Sequence, residues 1–360
     1  MEVDVHDIDS IPLVSNINDL ENLQSPRELP PPELANLADI EQILQLATKS
    51  VFCKAAVIPQ LTQTNYIETL LPLLSICEDL ESQTDLFRLS NIMRSIITLN
   101  ECDIISYILL DEVFISVLGM LECEILLKLD DKEYPKQRAN YRDFIIHGVK
   151  FKEVIPINDP DLVALINQTY RAQYLKDIVL ARILPDSTFA LFQSITYFNN
   201  VEIIGSLCKN VEFLKQLFQL FSTQDLQGTT KKDIVLLLNE MCQITKGLQR
   251  GHQVLFYQTL GENGLFGIFE FTMGDPDESV RSGAVSILAN ILQHDPRLVK
   301  LFCLEQAENN VDTIVALIIT RFLAENSLGL MSQIADLIKV LLDTTGVGLE
   351  VALCPNSRVF

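Results

Sequence analysis

Apolar residues recur along most of the chain at intervals of three and four positions, the spacing that places them on one face of a helix. In the stretch LANLADIEQILQLATK, the apolar face holds Leu37, Ile40, Ile43, Leu44 and Ala47. The same pattern returns in TDLFRLSNIMRSIITL, DEVFISVLGMLECEI and ESVRSGAVSILANILQ. No stretch shows the consecutive alternation that a set of strands requires. The pattern therefore predicts an all-α fold from residue 34 onward.

Three Asp-Pro pairs stand where apolar helical patterns begin. They are Asp159-Pro160, Asp275-Pro276 and Asp295-Pro296. An aspartate accepts hydrogen bonds from the free N–H groups of a first helical turn, and proline is tolerated there because no donor is needed. We therefore expect a helix to start at each pair. Asp277 and Arg281 follow at a spacing of four with the acid first, the favourable order for an ion pair on one helix.

The helical pattern is interrupted near residues 130–158. The stretch KFKEVIPI contains Pro156 among β-branched residues, which favours an extended path over a helix. On the helix predicted after it, the face formed by Asn167, Tyr170, Arg171, Tyr174 and Ile178 is polar and aromatic. Residues 125–182 contain ten basic and eight acidic residues, although the whole chain has a net charge of −21.

The charge distribution restricts the class of partner. A chain with a net charge of −21 repels phosphates, so we expect no direct nucleic-acid partner. Residues 1–33 hold eight acids and one base before the proline run of ELPPPEL, which indicates an acidic linker or tail. No run of about 18 uncharged apolar residues occurs, so a membrane partner is not expected either.

The sequence offers no pattern for metal binding or catalysis. None of the eight cysteines forms a CxxC motif and the four histidines are scattered, so we expect no metal and no cofactor. Gly261, Gly264 and Gly267 are spaced by three, but they lie between helical patterns and favour a helix-joining turn over a nucleotide site. Cys242 and His252 would form a nucleophile pair only by a chance of folding. We therefore expect a chain that is not an enzyme.

The stretch from Asp277 to Leu288 follows the pattern D-x-x-V-R-x-x-A-x-x-x-L and resembles a helix of an armadillo/HEAT repeat. Asp233 and Asp277, at similar helix starts, are 44 residues apart, within the range of about 40–47 typical of such arrays. We therefore expect a helical-repeat solenoid over residues 34–360, with a short extended insertion near 130–158.

A more specific resemblance is to the SMEK region of the protein phosphatase 4 regulatory subunit 3 family. It is carried by YRDFIIHGVKFKEVIPI, INQTYRAQYLKDIV and YFNNVEIIGSLCKNVEFLKQLF, and further by ELPPPELANLADIEQIL, LNEMCQITKGLQ and SLGLMSQIADLIKVLLD. The resemblance covers nearly all of residues 28–345. The family's N-terminal pleckstrin-like domain and its charged tail find no match, so the chain resembles a central fragment of a family member.

The resemblance implies a non-catalytic scaffold subunit of a serine/threonine phosphatase complex. Its partners would be the phosphatase 4 catalytic subunit, the other regulatory subunit of the complex and short peptide motifs of substrates. The resemblance also implies that the protein is located in the nucleus and the cytoplasm and that it takes part in the DNA damage response. The alternative is a free-standing peptide-binding adaptor of armadillo type that needs no phosphatase.

The interruption also supplies the candidate binding site, where basic, aromatic and amide side chains gather. Its residues are Lys150, Phe151, Lys152, Tyr170, Arg171, Tyr174, Asn199 and Asn200. A structural interpretation has the tyrosines packed under the extended segment and Arg171 paired with a carboxylate such as Asp177 or Glu153. A functional interpretation has the same side chains gripping a peptide backbone or an acidic segment, which suits the planar guanidinium of arginine.

Overall fold

A computed structural model describes residues 28–123, 138–149, 151–222 and 228–342 of the chain. Every regular element in these residues is a helix, and none is a strand. The prediction of an all-α, helical-repeat fold is therefore confirmed for this part of the chain. The apolar face predicted first is also confirmed, because all five of its side chains are at most 8% exposed.

The described residues form two compact units, each with its own apolar core. Unit 1 is drawn from residues 1–151 and 168–196, and unit 2 from residues 152–167 and 197–360. Two helices contribute residues to both units, Pro160–Tyr174 (α9) and Asp186–Lys209 (α10).

Unit 1 is built mainly from eight helices that precede α9. They are Leu37–Ala47 (α1), Val51–Gln63 (α2), Tyr66–Leu70 (α3), Leu73–Asp79 (α4), Gln83–Thr98 (α5), Cys102–Ile108 (α6), Asp111–Leu121 (α7) and Tyr141–Asp143 (α8). The helices α1, α5 and α7 pack side by side as a row, and α2, α4 and α6 cover it. No single helix in the described residues is long and apolar enough to cross a membrane, although α6 and α7, bent by 93°, pass that test as a pair.

The region predicted as an extended insertion is partly helical. The helix α8 continues as a π-helical turn over Phe144–Gly148, whereas residues 151–159 contain neither helix nor strand. The contacts of Arg142 explain why α8 is held against the other helices of unit 1. Its backbone N–H and its Nε donate to the buried Glu122 (2.6 and 3.0 Å), and its Nη2 donates to Glu78 (2.8 Å). Such charge-assisted bonds fix a short helix that could not form alone.

Unit 2 continues the pattern with eight helices. They are Val211–Gln219 (α11), Gly228–Lys246 (α12), Arg250–Glu262 (α13), Ile268–Thr272 (α14), Glu278–His294 (α15), Pro296–Glu308 (α16), Ile314–Ala324 (α17) and Leu328–Leu342 (α18). The helices α12, α15 and α18 pack side by side as the row of this unit. Gly283 lets α12 approach α15 closely, because a Cβ atom there would collide with Val235 Cγ1.

The predicted helix starts are confirmed at two of the three Asp-Pro pairs. Asp159 accepts from the N–H groups of Asp161 and Leu162, and Asp295 accepts from the N–H of Arg297. The prediction for Asp275 is wrong by two residues, because Asp277 caps α15 through the Ser279 N–H (2.8 Å).

The predicted Asp277–Arg281 pair is also wrong. Arg281 pairs instead with the buried carboxylate of Glu325, which precedes α18. Glu325 Oε2 accepts from Arg281 Nε (3.0 Å) and from Arg321 Nη2 (2.7 Å), while its Oε1 accepts from Arg281 Nη2 (3.1 Å). Arg281 Nη1 donates to the carbonyls of Asp275 and Pro276 (both 2.9 Å). The network therefore ties α15, α17 and the start of α18 together.

Candidate functional site

The residues of the predicted binding site are divided between the two units. Phe151, Tyr170, Arg171 and Tyr174 belong to unit 1, and Lys152, Asn199 and Asn200 belong to unit 2. Lys150 lies outside the described residues.

In unit 1, three aromatic rings form a continuous stack on α8 and α9. The Tyr174 ring is stacked with both others: its centroid lies 5.7 Å from that of Phe144 and 6.3 Å from that of Tyr170, and both rings are nearly parallel to it. Tyr174 is buried, whereas Phe144 is 48% and Tyr170 39% exposed. Burial raises the pKa of Tyr174 to about 12, so its hydroxyl stays protonated. Tyr174 therefore supports the stack, and the two outer rings are accessible to a partner.

Arg171 is held inside unit 1. Its Nη1 donates to the backbone carbonyl of Leu109 (2.8 Å), its Nη2 forms an ion pair with Asp111, and the guanidinium lies over the Phe114 ring at 5.6 Å. The carboxylate partner is therefore Asp111, not Asp177 or Glu153. These contacts join α9 to the turn between α6 and α7, and they favour a structural role for this side chain.

In unit 2, Lys152 forms an ion pair with Asp233 on α12. The lysine is 66% exposed at its side chain, so the pair is a surface contact that contributes little stability. Asn199 and Asn200 are half-buried in the middle of α10. The extended segment that begins at Lys152 is thus anchored to α12 by charge, and Ile155 is buried in the core of unit 2.

A groove that the sequence analysis missed runs across α12, α15 and α18 of unit 2, with a volume of about 810 Å³. Small and polar side chains of α15 line it at intervals of three and four residues, at Ser279, Ser282, Ser286, Ala289 and Gln293. That spacing is visible in the sequence and could have predicted a polar stripe beside the apolar face. Only the packing of the neighbouring helices shows that the stripe faces open space.

Cys242, the candidate nucleophile, is buried and does not have His252 as its hydrogen-bond partner. Cys242 is 1% exposed and hydrogen-bonds with Tyr257, not with His252. Burial raises the pKa of its thiol to about 12, which leaves almost no thiolate near neutral pH. Gly264 adopts a φ of +110° in the turn after α13, as expected for a helix-joining turn. The described residues contain no group of three potential metal-ligating carboxylate, thiol or imidazole side chains.

Comparison with known proteins connects both units to one family. Residues 39–352 match the family described as phosphatase 4 regulatory subunit 3. An uncharacterized protein of Schizosaccharomyces pombe is 31% identical over 91% of this chain and 40% of its own length. Suppressor of Mek1 of Dictyostelium discoideum is 30% identical over 88% of this chain and 30% of its own length. Serine/threonine-protein phosphatase 4 regulatory subunit 3 of Drosophila melanogaster is 29% identical over 90% of this chain and 33% of its own length.

The chain spans 40% or less of the length of these curated relatives. The family match covers residues 39–352, which include the described helices from Ile40 to Leu342 in both units. The family is named for a regulatory subunit of a phosphatase, in agreement with the expectation that the chain is not itself catalytic. This chain therefore belongs to the phosphatase 4 regulatory subunit 3 family.

Proposed function

We propose that this chain is the helical-repeat part of a regulatory subunit that binds the catalytic subunit of protein phosphatase 4 and recruits its substrates. The observation that carries the proposal is the family match over residues 39–352. The Drosophila relative bears the name of a phosphatase 4 regulatory subunit. Helical repeats with exposed side chains along their rows are suited to holding other proteins, because each repeat adds surface without changing the core.

The chain would act by holding the phosphatase and its substrate near each other, and the phosphate ester would be cleaved on the catalytic subunit. Holding a substrate and the phosphatase on one scaffold makes their encounter intramolecular and raises the effective substrate concentration at the catalytic metal site. Such a role needs two surfaces, one for the phosphatase and one for the substrate. We assign the phosphatase to the aromatic stack of unit 1 and the substrate to the groove of unit 2.

The first test is reconstitution with purified proteins. We expect the full chain to co-purify with the phosphatase 4 catalytic subunit and not with the catalytic subunit of an unrelated serine/threonine phosphatase. The chain alone should turn over no phosphopeptide, because its family is named for a regulatory subunit of the phosphatase. Peptide binding without any retention of the phosphatase would instead favour the adaptor function.

A second prediction concerns the aromatic stack, which we assign to the contact with the catalytic subunit. Rigid, exposed aromatic rings are frequent at the centres of protein interfaces. We expect Tyr170→Ala to weaken the binding of the catalytic subunit by about 1–2 kcal/mol. Arg171→Ala should instead lower the free energy of unfolding by about 1–3 kcal/mol, because the Leu109 carbonyl and Asp111 lose a charge-assisted partner.

The two effects separate when calorimetric binding and urea unfolding are measured on the same samples. Lys152→Ala serves as a surface-charge control, and any effect it has on affinity should fade as salt is added. Full affinity in the Tyr170→Ala variant would remove the aromatic stack from the interface.

A further inference from the structure

The groove of unit 2 combines an apolar floor with polar walls in which Asp336 is the one charged residue that lines it. Val285, Leu292 and Leu337 line it while being at most 5% exposed, so they form its floor. Leu236 on α12 and Val340 on α18 line it at opposite sides and are 49% and 43% exposed. Two aliphatic side chains left open beside an apolar floor offer burial to apolar groups of a ligand.

The polar lining of the groove includes three carboxamides with unused hydrogen-bonding groups. The side-chain amides of Gln293 on α15 and Gln333 on α18 make no hydrogen bond within the described residues. On α12, Asn239 Oδ1 accepts from Ser286 Oγ (2.8 Å), which leaves both N–H groups of its amide available. A carboxamide carries both donors and an acceptor, so the three helices together offer what a peptide backbone needs.

We infer that this groove binds an extended peptide segment of a partner protein, with two aliphatic side chains on the floor and a basic residue beside Asp336. An extended segment exposes its N–H and C=O groups to the carboxamides, whereas a helix satisfies them internally and would leave the carboxamides unused. The inference rests on the proposed function in one respect, since the peptide is taken to belong to a phosphatase substrate.

The charge at the groove selects the basic residue. Asp336 lines the groove and is 67% exposed at its side chain. Its pair with Lys339 (2.8 Å) joins two exposed residues of one helix and is weak, so a ligand cation can compete for the carboxylate. At the other end, Lys232 is already bound to Ser279 Oγ (3.1 Å) and faces Asp277. The residues that line the groove include one carboxylate and no lysine or arginine, so the groove favours a basic over an acidic residue of the peptide.

The length of the peptide follows from the width of the row. Packed helices lie about 8–10 Å apart, so three helices span about 20 Å. An extended chain covers about 3.3 Å per residue, which gives a contact of about six residues. In an extended segment alternate side chains point to the same side, so the two aliphatic residues should be separated by one residue.

The test is selection of random heptapeptides displayed on phage, with the full-length chain as the target. The selected sequences are then made as fluorescein-labelled peptides, and their affinity is measured by fluorescence anisotropy. We expect two aliphatic residues at alternate positions, followed by lysine or arginine, and no acidic residue. Gln333→Ala should weaken binding about two- to tenfold, the range for one lost hydrogen bond.

Two further variants test the charge of Asp336 and the open space of the groove. Asp336→Lys should weaken these peptides more than tenfold and should favour versions in which glutamate replaces the basic residue. Ser282→Arg fills the groove and should abolish binding. Glu305→Lys on α16 is the control, because Glu305 is exposed and does not line the groove. Melting curves confirm that each variant is folded.

Each outcome decides the inference. The inference would be overturned if the selected peptides bound wild type and Ser282→Arg equally well. It would also be overturned by a consensus sequence that is acidic or helical, or by a selection that gives no enrichment over the Ser282→Arg target. Co-purification of the phosphatase 4 catalytic subunit is scored separately with the same variants. If the phosphatase binds but no peptide does, this inference fails alone. If peptides bind in the groove but the phosphatase does not, the groove stands and the proposed function fails.

Discussion

Val280→Asp is expected to destabilise unit 2 by several kcal/mol, about 3–5, and thereby to unfold it under mild conditions. Val280 lies on the buried face of α15 and is 1% exposed in the core of this unit. An aspartate there would lose the apolar contacts of valine and would bury a carboxylate without a counter-charge. Because α15 is the middle helix of the row, its loss also removes the packing surface of α12 and α18.

The measurement is urea unfolding followed by circular dichroism, together with amide exchange read by mass spectrometry. Exchange should rise in α12, α15 and α18 of the variant. Val211→Asp is the matched control, because Val211 is 44% exposed in the first turn of α11, where a negative charge is tolerated. An unchanged unfolding midpoint in Val280→Asp would show that the burial assigned to α15 is incorrect.

The helices could be predicted from the sequence because the signals that form them are local. The spacing of Leu37, Ile40 and Ile43 determines which face of α1 is apolar, and that face packs into the core. The caps at Asp159 and Asp295 need only the residues next to them. At Asp275 the same signal is wrong because a second aspartate follows two residues later: Asp277 accepts from the Ser279 N–H at the helix start, and Asp275 accepts from the N–H of Asp277.

The partners of Arg171 and Arg281 could not be predicted, because they are distant in sequence. Arg171 pairs with Asp111 and Arg281 with Glu325, and no spacing rule links either pair. Sequence spacing finds only charge pairs on one helix, such as the exposed pair of Asp336 and Lys339. Buried arginines, in contrast, are matched with whichever carboxylate the packing of the helices brings near.

The candidate site shows the same limit. The aromatic character of the face around Tyr170 was visible in the sequence, and the structure adds Phe144 to it through the fold of α8. The groove of unit 2 was invisible because it consists of space between α12, α15 and α18. A polar stripe on one helix becomes a site only when its neighbours leave it open.

Glu325→Gln is expected to lower the free energy of unfolding by about 3–5 kcal/mol at neutral pH, the range found when one partner of a buried ion pair is removed. The Glu325 side chain is 1% exposed, and those of Arg281 and Arg321 are 10% and 17% exposed. Glutamine keeps the shape but cannot balance two guanidinium charges that have little access to water. The exposed pair of Asp336 and Lys339 provides the control, since Asp336→Asn should cost less than about 1 kcal/mol.

The dependence on pH gives an independent check. Hydrogen bonds from Arg281 lower the pKa of Glu325 from 4.5 to about 2 in the folded chain. A carboxylate with a depressed pKa contributes stability that is fully present above the unfolded value, near pH 4.5, and is lost as the pH falls toward 2. Between about pH 5 and pH 3, the free energy of unfolding of wild type should therefore fall more steeply with decreasing pH than that of Glu325→Gln. The difference between the two slopes should be at most that for the uptake of one proton on unfolding. Other carboxylates titrate in both proteins and cancel in the difference, so urea unfolding at several pH values isolates this residue. Parallel curves would mean that Glu325 does not carry the charge of the network.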